Sequence, residues 1–408
     1  MSTVKLTGMP EQQTARRIPL SRLFFLYVLI GLTGFGPTLA AQTKKRLVEN
    51  EPWLPEEDFL NGLSLAQILP GATFVNLAVY IGYKLRGMSG ALTGFCAILL
   101  MPFLLMVILS HIYFSYHSVE VVNVLFKGAS VVIVGVIANA VIELGHTTVR
   151  DGGAGIIALA AAGLMFYIKN PFLVLLAAAI AGVLLYYRSF QIQGDFWVEK
   201  RFVEKDSRSC LSGRLWVLAT WSIILIIILM ASIPAIFTKL WWVFFQMGAV
   251  LFGGGLAMIP VIQQEIVDYY GWLNLDEFAV GIALSQVTPG PVLILAAFIG
   301  YKIAAVGGAI VATLGMFSPS LFLVMSTAEI HQKIRNNSVV RGALKGIAAS
   351  FIGMMLVMVV SLIHNAITDI FSFMVAMLVF LALRYNKLST MMAILVGTII
   401  YWWFIFIR

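Results

Sequence analysis

Gln67-Ile-Leu-Pro-Gly71 lies near the middle of an apolar run, and the chain writes it a second time as Gln286-Val-Thr-Pro-Gly290. Proline removes a backbone donor and clashes with the preceding turn, while glycine permits non-helical dihedrals. Neither run, Phe59 to Tyr83 or Phe278 to Tyr301, is therefore read as one continuous helix, although neither carries an Asp, Glu, Lys or Arg. Each is read as two half-helices joined by an unwound elbow.

The duplication extends outward from these elbows. Upstream, Phe35-Gly-Pro-Thr-Leu-Ala40 matches Phe252-Gly-Gly-Gly-Leu-Ala257, and Trp53-Leu54 with Phe59 matches Trp272-Leu273 with Phe278. Downstream, Ile81-Gly-Tyr-Lys84 matches Ile299-Gly-Tyr-Lys302. Val121, Val122, Lys127, Gly128 and Gly135 match Val339, Val340, Lys345, Gly346 and Gly353. The offset stays between 217 and 219 residues, so the chain is two copies of one unit.

Composition says what surrounds the copies. Of 408 residues, 60% are hydrophobic and only 11% charged, with a net charge of +8. An ordinary soluble domain carries about 25% charged residues. Runs long enough to cross the roughly 30 Å hydrocarbon layer recur along the whole length, six in each copy plus one linking span, Leu215 to Ser232, after a charged loop at Arg188 to Arg214. The expected fold is an all-α polytopic membrane protein of two homologous repeats, each of about six transmembrane helices, with broken helices near the midplane. The expected divisions are a cytoplasmic segment at 1–20, a first repeat at 21–190, a loop and extra span at 191–238, and a second repeat at 239–408.

Six spans and one linker make an odd shift, so the copies are expected to be inverted, as in many secondary transporters. With a cytoplasmic N-terminus, the basic loops at Arg188 to Arg214, His331 to Arg341 and Arg384 to Lys387 fall inside. Lys44-Lys45-Arg46 falls outside, unless Leu23 to Thr43 and its neighbour form a re-entrant hairpin. A basic leader (Lys5, Arg16, Arg17, Arg22) with no small-residue cleavage site argues against a removable signal peptide.

Unwound backbone at membrane depth is tolerated where it is buried in protein or lines a cavity. The elbows, together with Gly34-Phe-Gly-Pro37 and Gly253-Gly-Gly255, therefore point to a binding site between the repeats. A half-helix N-terminus suits an anion, and Gln67, Asn76, Gln286 and Thr288 add neutral hydrogen-bonding groups. A lone Pro-Gly reads most simply as a kink; its duplication tips the reading toward a site. Lys127 and Lys345 are ionisable groups within apolar runs, which makes them candidates for the substrate pathway, although each could instead snorkel to an interface. Glu143, Glu265, His146 and His364 read as interfacial. No Gly-Lys-[Ser/Thr], His-Glu-x-x-His, Cys-x-x-Cys or Gly-x-Ser-x-Gly occurs, which excludes ATP-driven transport by this chain alone and these enzyme classes.

In combination, the duplicated Phe-Gly element, the Trp-Leu step and Gln-x-x-Pro-Gly resemble the chromate ion transporter family in its long, two-domain form. The resemblance runs from Phe24 to about Trp403. It implies export of chromate across the bacterial plasma membrane, with sulfate as the close structural competitor. Carried over by position, the family's motifs fall on Phe35, Gly36, Pro37, Gln67, Pro70 and Gly71, and on Phe252, Gly253, Gly254, Gly255, Gln286, Thr288, Pro289, Gly290 and Pro291. The chain departs from the family with Gly-Phe-Gly-Pro in place of a longer Phe-Gly-Gly-Pro run and with Ala72 where a second proline is common, which marks a divergent subgroup. The expected partners are an oxyanion, membrane lipids and a second copy of the chain, with neither a cofactor nor nucleic acid. Rival readings are a sulfate or other anion carrier of the same architecture, and a membrane scaffold or sensor subunit.

Overall fold

The computed structural model describes residues 18–34, 38–51, 53–116, 119–168, 170–194, 234–251, 255–327, 338–385 and 387–407. The expected linking span, Leu215 to Ser232, lies outside them, as do Phe35, Gly36, Pro37, Phe252, Gly253 and Gly254. Every element formed by the described residues is a helix, and five of these helices are long and apolar enough to cross a membrane.

In the first repeat the helices are α1 (Leu20–Thr33), α2 (Thr38–Lys44, continuing as a π-helical turn Lys45–Asn50), α3 (Glu56–Ile68), α4 (Thr73–Tyr116), α5 (Glu120–Thr148), α6 (Gly152–Tyr167) and α7 (Pro171–Gly194). The second repeat follows the same plan. It has α8 (Ala235–Ala249), α9 (Ile259–Gln263, running into a π-helical turn Gln264–Tyr269), α10 (Leu275–Val287), α11 (Leu295–Thr327), α12 (Ser338–Ala366), α13 (Ile370–Arg384) and α14 (Thr390–Ile407). Caps repeat with the fold: Asp151 accepts from the Ala154 N–H at the start of α6, and Asp369 from the Ser372 N–H at the start of α13.

All six apolar runs of each copy form helical elements, but the first two are folded back on themselves. Gly62 and Tyr80 lie equally far from the elbow at Gly71, and a Cβ on Gly62 would stand 2.3 Å from the Tyr80 ring. Half-helices in line would hold those residues roughly 27 Å apart at 1.5 Å per residue. The two arms therefore lie side by side as a hairpin, closed at its base by Lys84 and Asp58 at 3.6 Å. In the second copy Gly281 packs on Phe298, and Lys302 meets Glu277 at 2.7 Å. The preceding run folds back in the same way. Arg22 at the start of α1 meets Glu51 at 3.0 Å and stacks over Trp53, and its counterpart Lys239 stands over Tyr270 and Trp272.

After each second hairpin the chain reverses at Arg86-Gly87, and at Ala304-Ala305 in the other copy, where the backbone leaves helical dihedrals. The helix then crosses. The second limb of α4 ends with His111 Nδ1 at 2.9 Å from the hydroxyl of Tyr301, at the base of the fourth hairpin. Thus hairpins 20–50 and 56–85 open on one face, here the near face, and hairpins 235–269 and 275–303 open on the far face. Their tips point toward each other.

Helix directions establish the inversion. On α7 and α12, Gly182 packs against Gly342 while Ala178 packs against Gly346, so these helices run antiparallel. Short loops make α5, α6 and α7 alternate in direction, so α5 runs parallel to α7 and opposite to its own copy, α12. The contacts are reciprocal: Gly128 of α5 meets Tyr401 of α14, as Gly346 of α12 meets Gly182 of α7. Small residues carry these crossings because lipid supplies no hydrophobic drive for helices to associate. A Cβ on Gly346 would come 2.0 Å from the Ala178 carbonyl oxygen, and one on Gly353 1.9 Å from that of Ala158.

The hairpins also account for the charge exception. Lys44, Lys45 and Arg46 follow a segment that turns back, so they stay on the near face with Lys84, Arg86, Arg150, Arg341, Lys345, Arg384 and Lys387. The far face holds Lys127, Lys239 and Lys302. A cysteine at Glu57 and one at Tyr269, each in a chain with Cys96 and Cys210 replaced, will react with an impermeant maleimide from opposite sides of sealed vesicles. Labelling of both from one side would contradict the inverted arrangement.

Candidate functional site

Each elbow is bonded to the other repeat. The Gly71 N–H donates to the carbonyl of Leu251 at 2.9 Å, and the Gly290 N–H donates to the carbonyl of Gly34 at 2.9 Å. Leu251 and Gly34 are equivalent positions, each ending the first arm of its hairpin. Gly255, on the far side of the break in hairpin 235–269, packs against Val292 and Leu293. These three contacts join all four interruptions at one place.

Sequence determines why the elbows take this shape. Gly71 has φ +113° and Gly290 has φ +107°, a left-handed region that side chains avoid. A Cβ on Gly71 would also lie 2.2 Å from Ser320 Oγ, and one on Gly290 2.4 Å from the Pro102 ring. Pro102 and Pro319 are themselves repeat partners inside the crossing limbs of α4 and α11. Each elbow thus presses on the proline region of the opposite repeat.

The site is polar where it meets Gly71. Asn76 and Ser320 are fully buried, and both Asn76 Oδ1 and Ser320 Oγ lie beside the glycine with no hydrogen-bond partner among the described residues. Gln286 Nε2 at the end of α10, and Gln263 Oε1 on α9, are also buried without a partner there. Unpaired buried polar atoms are costly, which makes the groups beside Gly71 candidates for contact with a guest or with water. The first N–H groups of α4 (Thr73, Phe74, Val75) and those of Val292 and Leu293 likewise find no acceptor among the described residues.

The expected site residues divide accordingly. Gly71, Asn76, Gly255, Gln286, Gly290 and Pro291 come together at the tips, with Pro70 and Pro289 in the elbows beside them. Asn76 also donates through Nδ2 to the carbonyls of Ala66, Leu69 and Pro70, capping the end of α3. Thr288 commits its hydroxyl to the Leu284 carbonyl at 2.7 Å, so it is not free to donate to a guest. Gln67 is exposed, unlike its copy Gln286. Sequence reasoning missed Ser320; the alignment of Pro102 with Pro319 was the signal that could have found it.

Lys127 and Lys345 lie at the level of the hairpin bases, not of the elbows. Ser130 on α5 reaches the Asp276 carbonyl at 3.5 Å, which sets Lys127 beside the start of α10, roughly 18 Å along that helix from its elbow. Lys127 acts electrostatically on Asp369. On the near face Lys345 binds Asp151 at 2.5 Å and sits 3.7 Å from the centre of the Tyr186 ring, whose hydroxyl also donates to Asp151. Both pairs join one repeat to the other. Glu265, read as interfacial, is instead 8% exposed on the return arm of its hairpin.

The chromate transporter family model matches the chain twice, over residues 21–183 and 238–402. Among curated proteins, the chain is 28% identical to an uncharacterized transporter of Methanocaldococcus jannaschii, over 98% of both chains. It is 29% identical to the chromate transport protein of Cupriavidus metallidurans, over 97% of this chain and 96% of that one. With the chromate transport protein of Pseudomonas aeruginosa it shares 27% identity over 93% and 91%. No solved structure matches the chain.

The near-face clamp predicts an acid response. Lys345 first, then the Tyr186 hydroxyl and the Ala154 N–H, hold the Asp151 carboxyl down at about 2. A carboxyl lowered on folding stabilises the fold above its unfolded pKa, near 3.9, and that contribution is lost as pH falls toward 2. Thermal unfolding in detergent will therefore show an acid-sensitive step between about pH 4 and pH 2 that shrinks in Lys345→Met; an unchanged step would remove the clamp from the account.

Proposed function

The chain belongs to the chromate transporter family, and on that premise we propose that it is a secondary transporter exporting chromate, or a related tetrahedral oxyanion such as sulfate, across the plasma membrane. The observation that carries this reading is the meeting of four helix breaks at one buried place that offers unbonded N–H groups and unpaired polar side-chain atoms. The near face, richer in Lys and Arg, is cytoplasmic on the positive-inside rule, which puts the N-terminus inside.

The energetics favour export without ATP. Moving a dianion into a dry site costs tens of kcal/mol unless its water is replaced, and the amides at the start of α4 and in the turn before α11, with Ser320 and Gln286, can replace it. Expelling two negative charges from an interior-negative cell gains about 4.6 kcal/mol per 100 mV. The membrane potential, or a proton gradient, is therefore the driving force. The site opens alternately to the two faces as one repeat rocks against the other. The two elbow bonds, one from each repeat to the other, are the contacts that such rocking exchanges. Lys127 and Lys345 act in this reading as cross-repeat ties that position the repeats, one at each face.

Purified protein in liposomes will carry chromate or sulfate when a potential is imposed, outward from the side bearing the near face. Gly71→Ala will cut the flux by about tenfold or more, because a side chain at positive φ and 2.2 Å from Ser320 displaces the elbow. Transport of a cation or a neutral solute, with no oxyanion flux, would overturn the reading.

A further inference from the structure

Between the two arms of hairpin 20–50 lies a cavity of about 490 Å³, lined by Leu26, Gln42, Lys45, Arg46, Asn50 and Glu51. It opens on the near face. At its inner end Gln42 is bonded to Thr33 in both directions, Nε2 to the Thr33 carbonyl at 3.1 Å and the Thr33 hydroxyl to Oε1 at 2.9 Å. Thr33 adjoins Gly34, whose carbonyl receives the Gly290 elbow. The cavity therefore ends, on its inner side, at the Thr33–Gln42 pair next to the Gly34 carbonyl.

Its charge is unbalanced in a specific way. The carboxylate in the lining, Glu51, is turned to Arg22 at 3.0 Å, and the neighbouring Lys44 is held by Glu56 at 2.6 Å. Lys45 and Arg46 have no carboxylate partner among the described residues. With Gln42 committed to Thr33 and Glu51 to Arg22, Lys45, Arg46 and the Asn50 amide are left facing an open pocket, with Glu49 as the neighbouring carboxylate. Two cations with an amide suit a small, doubly charged anion. The inverted copy reverses this chemistry: where the π-helical turns coincide, Lys45 and Arg46 are replaced by Gln264 and Glu265, both buried.

We infer that Lys45 and Arg46 form an anion-capturing vestibule on the near face, which concentrates a tetrahedral oxyanion at the base of the first hairpin. Hairpin 235–269 has no matching basic pair at this turn and carries Glu265 there, so the capture of an anion is a property of the near-face hairpin, while the direction of net flux follows the driving force. The inference rests on the proposed oxyanion cargo, but it can be tested apart from transport.

Asn50→Cys places a thiol in the vestibule with both cations intact, in a chain with Cys96→Ala and Cys210→Ser. A sulfonate-bearing methanethiosulfonate will modify it faster than the trimethylammonium analogue, by about tenfold. Lys45→Gln with Arg46→Gln will level the two rates, and millimolar sulfate will slow the anionic reagent more than chloride at equal ionic strength. In liposomes the same double variant will raise the half-saturating oxyanion concentration about tenfold with maximal flux retained. Equal rates for the two reagents, or no protection by sulfate, would overturn the vestibule even if the parent chain transports chromate. The expected rates and protection in a chain that moves no chromate would keep the vestibule and remove the proposed cargo.

Discussion

A backbone that leaves the helix inside the hydrocarbon layer must find its hydrogen-bond partners within the protein. That constraint organises this molecule. Its two elbow glycines and the two residues that end the first arms of hairpins 20–50 and 235–269 satisfy one another across the repeat boundary, Gly71 with Leu251 and Gly290 with Gly34. Neither repeat could bury its own interruptions in this way. The inverted arrangement supplies the missing partners, because it brings hairpins from opposite faces tip to tip.

Packing then follows from the need to bring two such copies close together. Glycines on α7 and α12, and Gly135 of α5 against Ala376 of α13, let backbones approach until a methyl group would collide. Ion pairs and aromatic cages close the hairpins at their bases, where water can reach the charges. The bases hold the charge, and Asn76, Ser320 and Gln286 hold unpaired polar atoms near the elbows, so a charged guest would meet cations first and amides afterwards. The symmetry between the copies is incomplete at these places. Asn76 and Ser320 flank one elbow, whereas Pro102 presses on the other; Lys45 and Arg46 sit on one return arm, whereas Gln264 and Glu265 sit on the other.

Much of this was legible in the sequence because it depends on residues whose backbone chemistry is local. Pro70-Gly71 and Pro289-Gly290 interrupt helices wherever they occur, and the fixed offset between copies showed that the interruptions come in matched sets. What sequence could not distinguish is a half-helix that continues across the membrane from one that turns back, since both have the same length and apolarity. The misplaced charges Lys44, Lys45 and Arg46 were the one local trace of the hairpins. Lys127 and Lys345 stood out because they are ionisable within apolar runs, yet their surroundings come from distant segments: Asp151 and Tyr186 lie in the other repeat from Lys345. The near-face cavity is likewise a product of folding, formed only when the two arms of the first hairpin lie together.

The central claim is that the four breaks meet to hold a doubly charged oxyanion. Chromium scatters anomalously, so an anomalous-difference map from crystals grown with chromate locates the ion without reference to any assumed path. The account predicts a peak within hydrogen-bonding distance of the amides at Thr73 to Val75 or at Val292 and Leu293, beside Ser320 or Gln286. Chromium found only at Lys127 or Lys345, or a fully occupied ion elsewhere with the elbows empty, would contradict it.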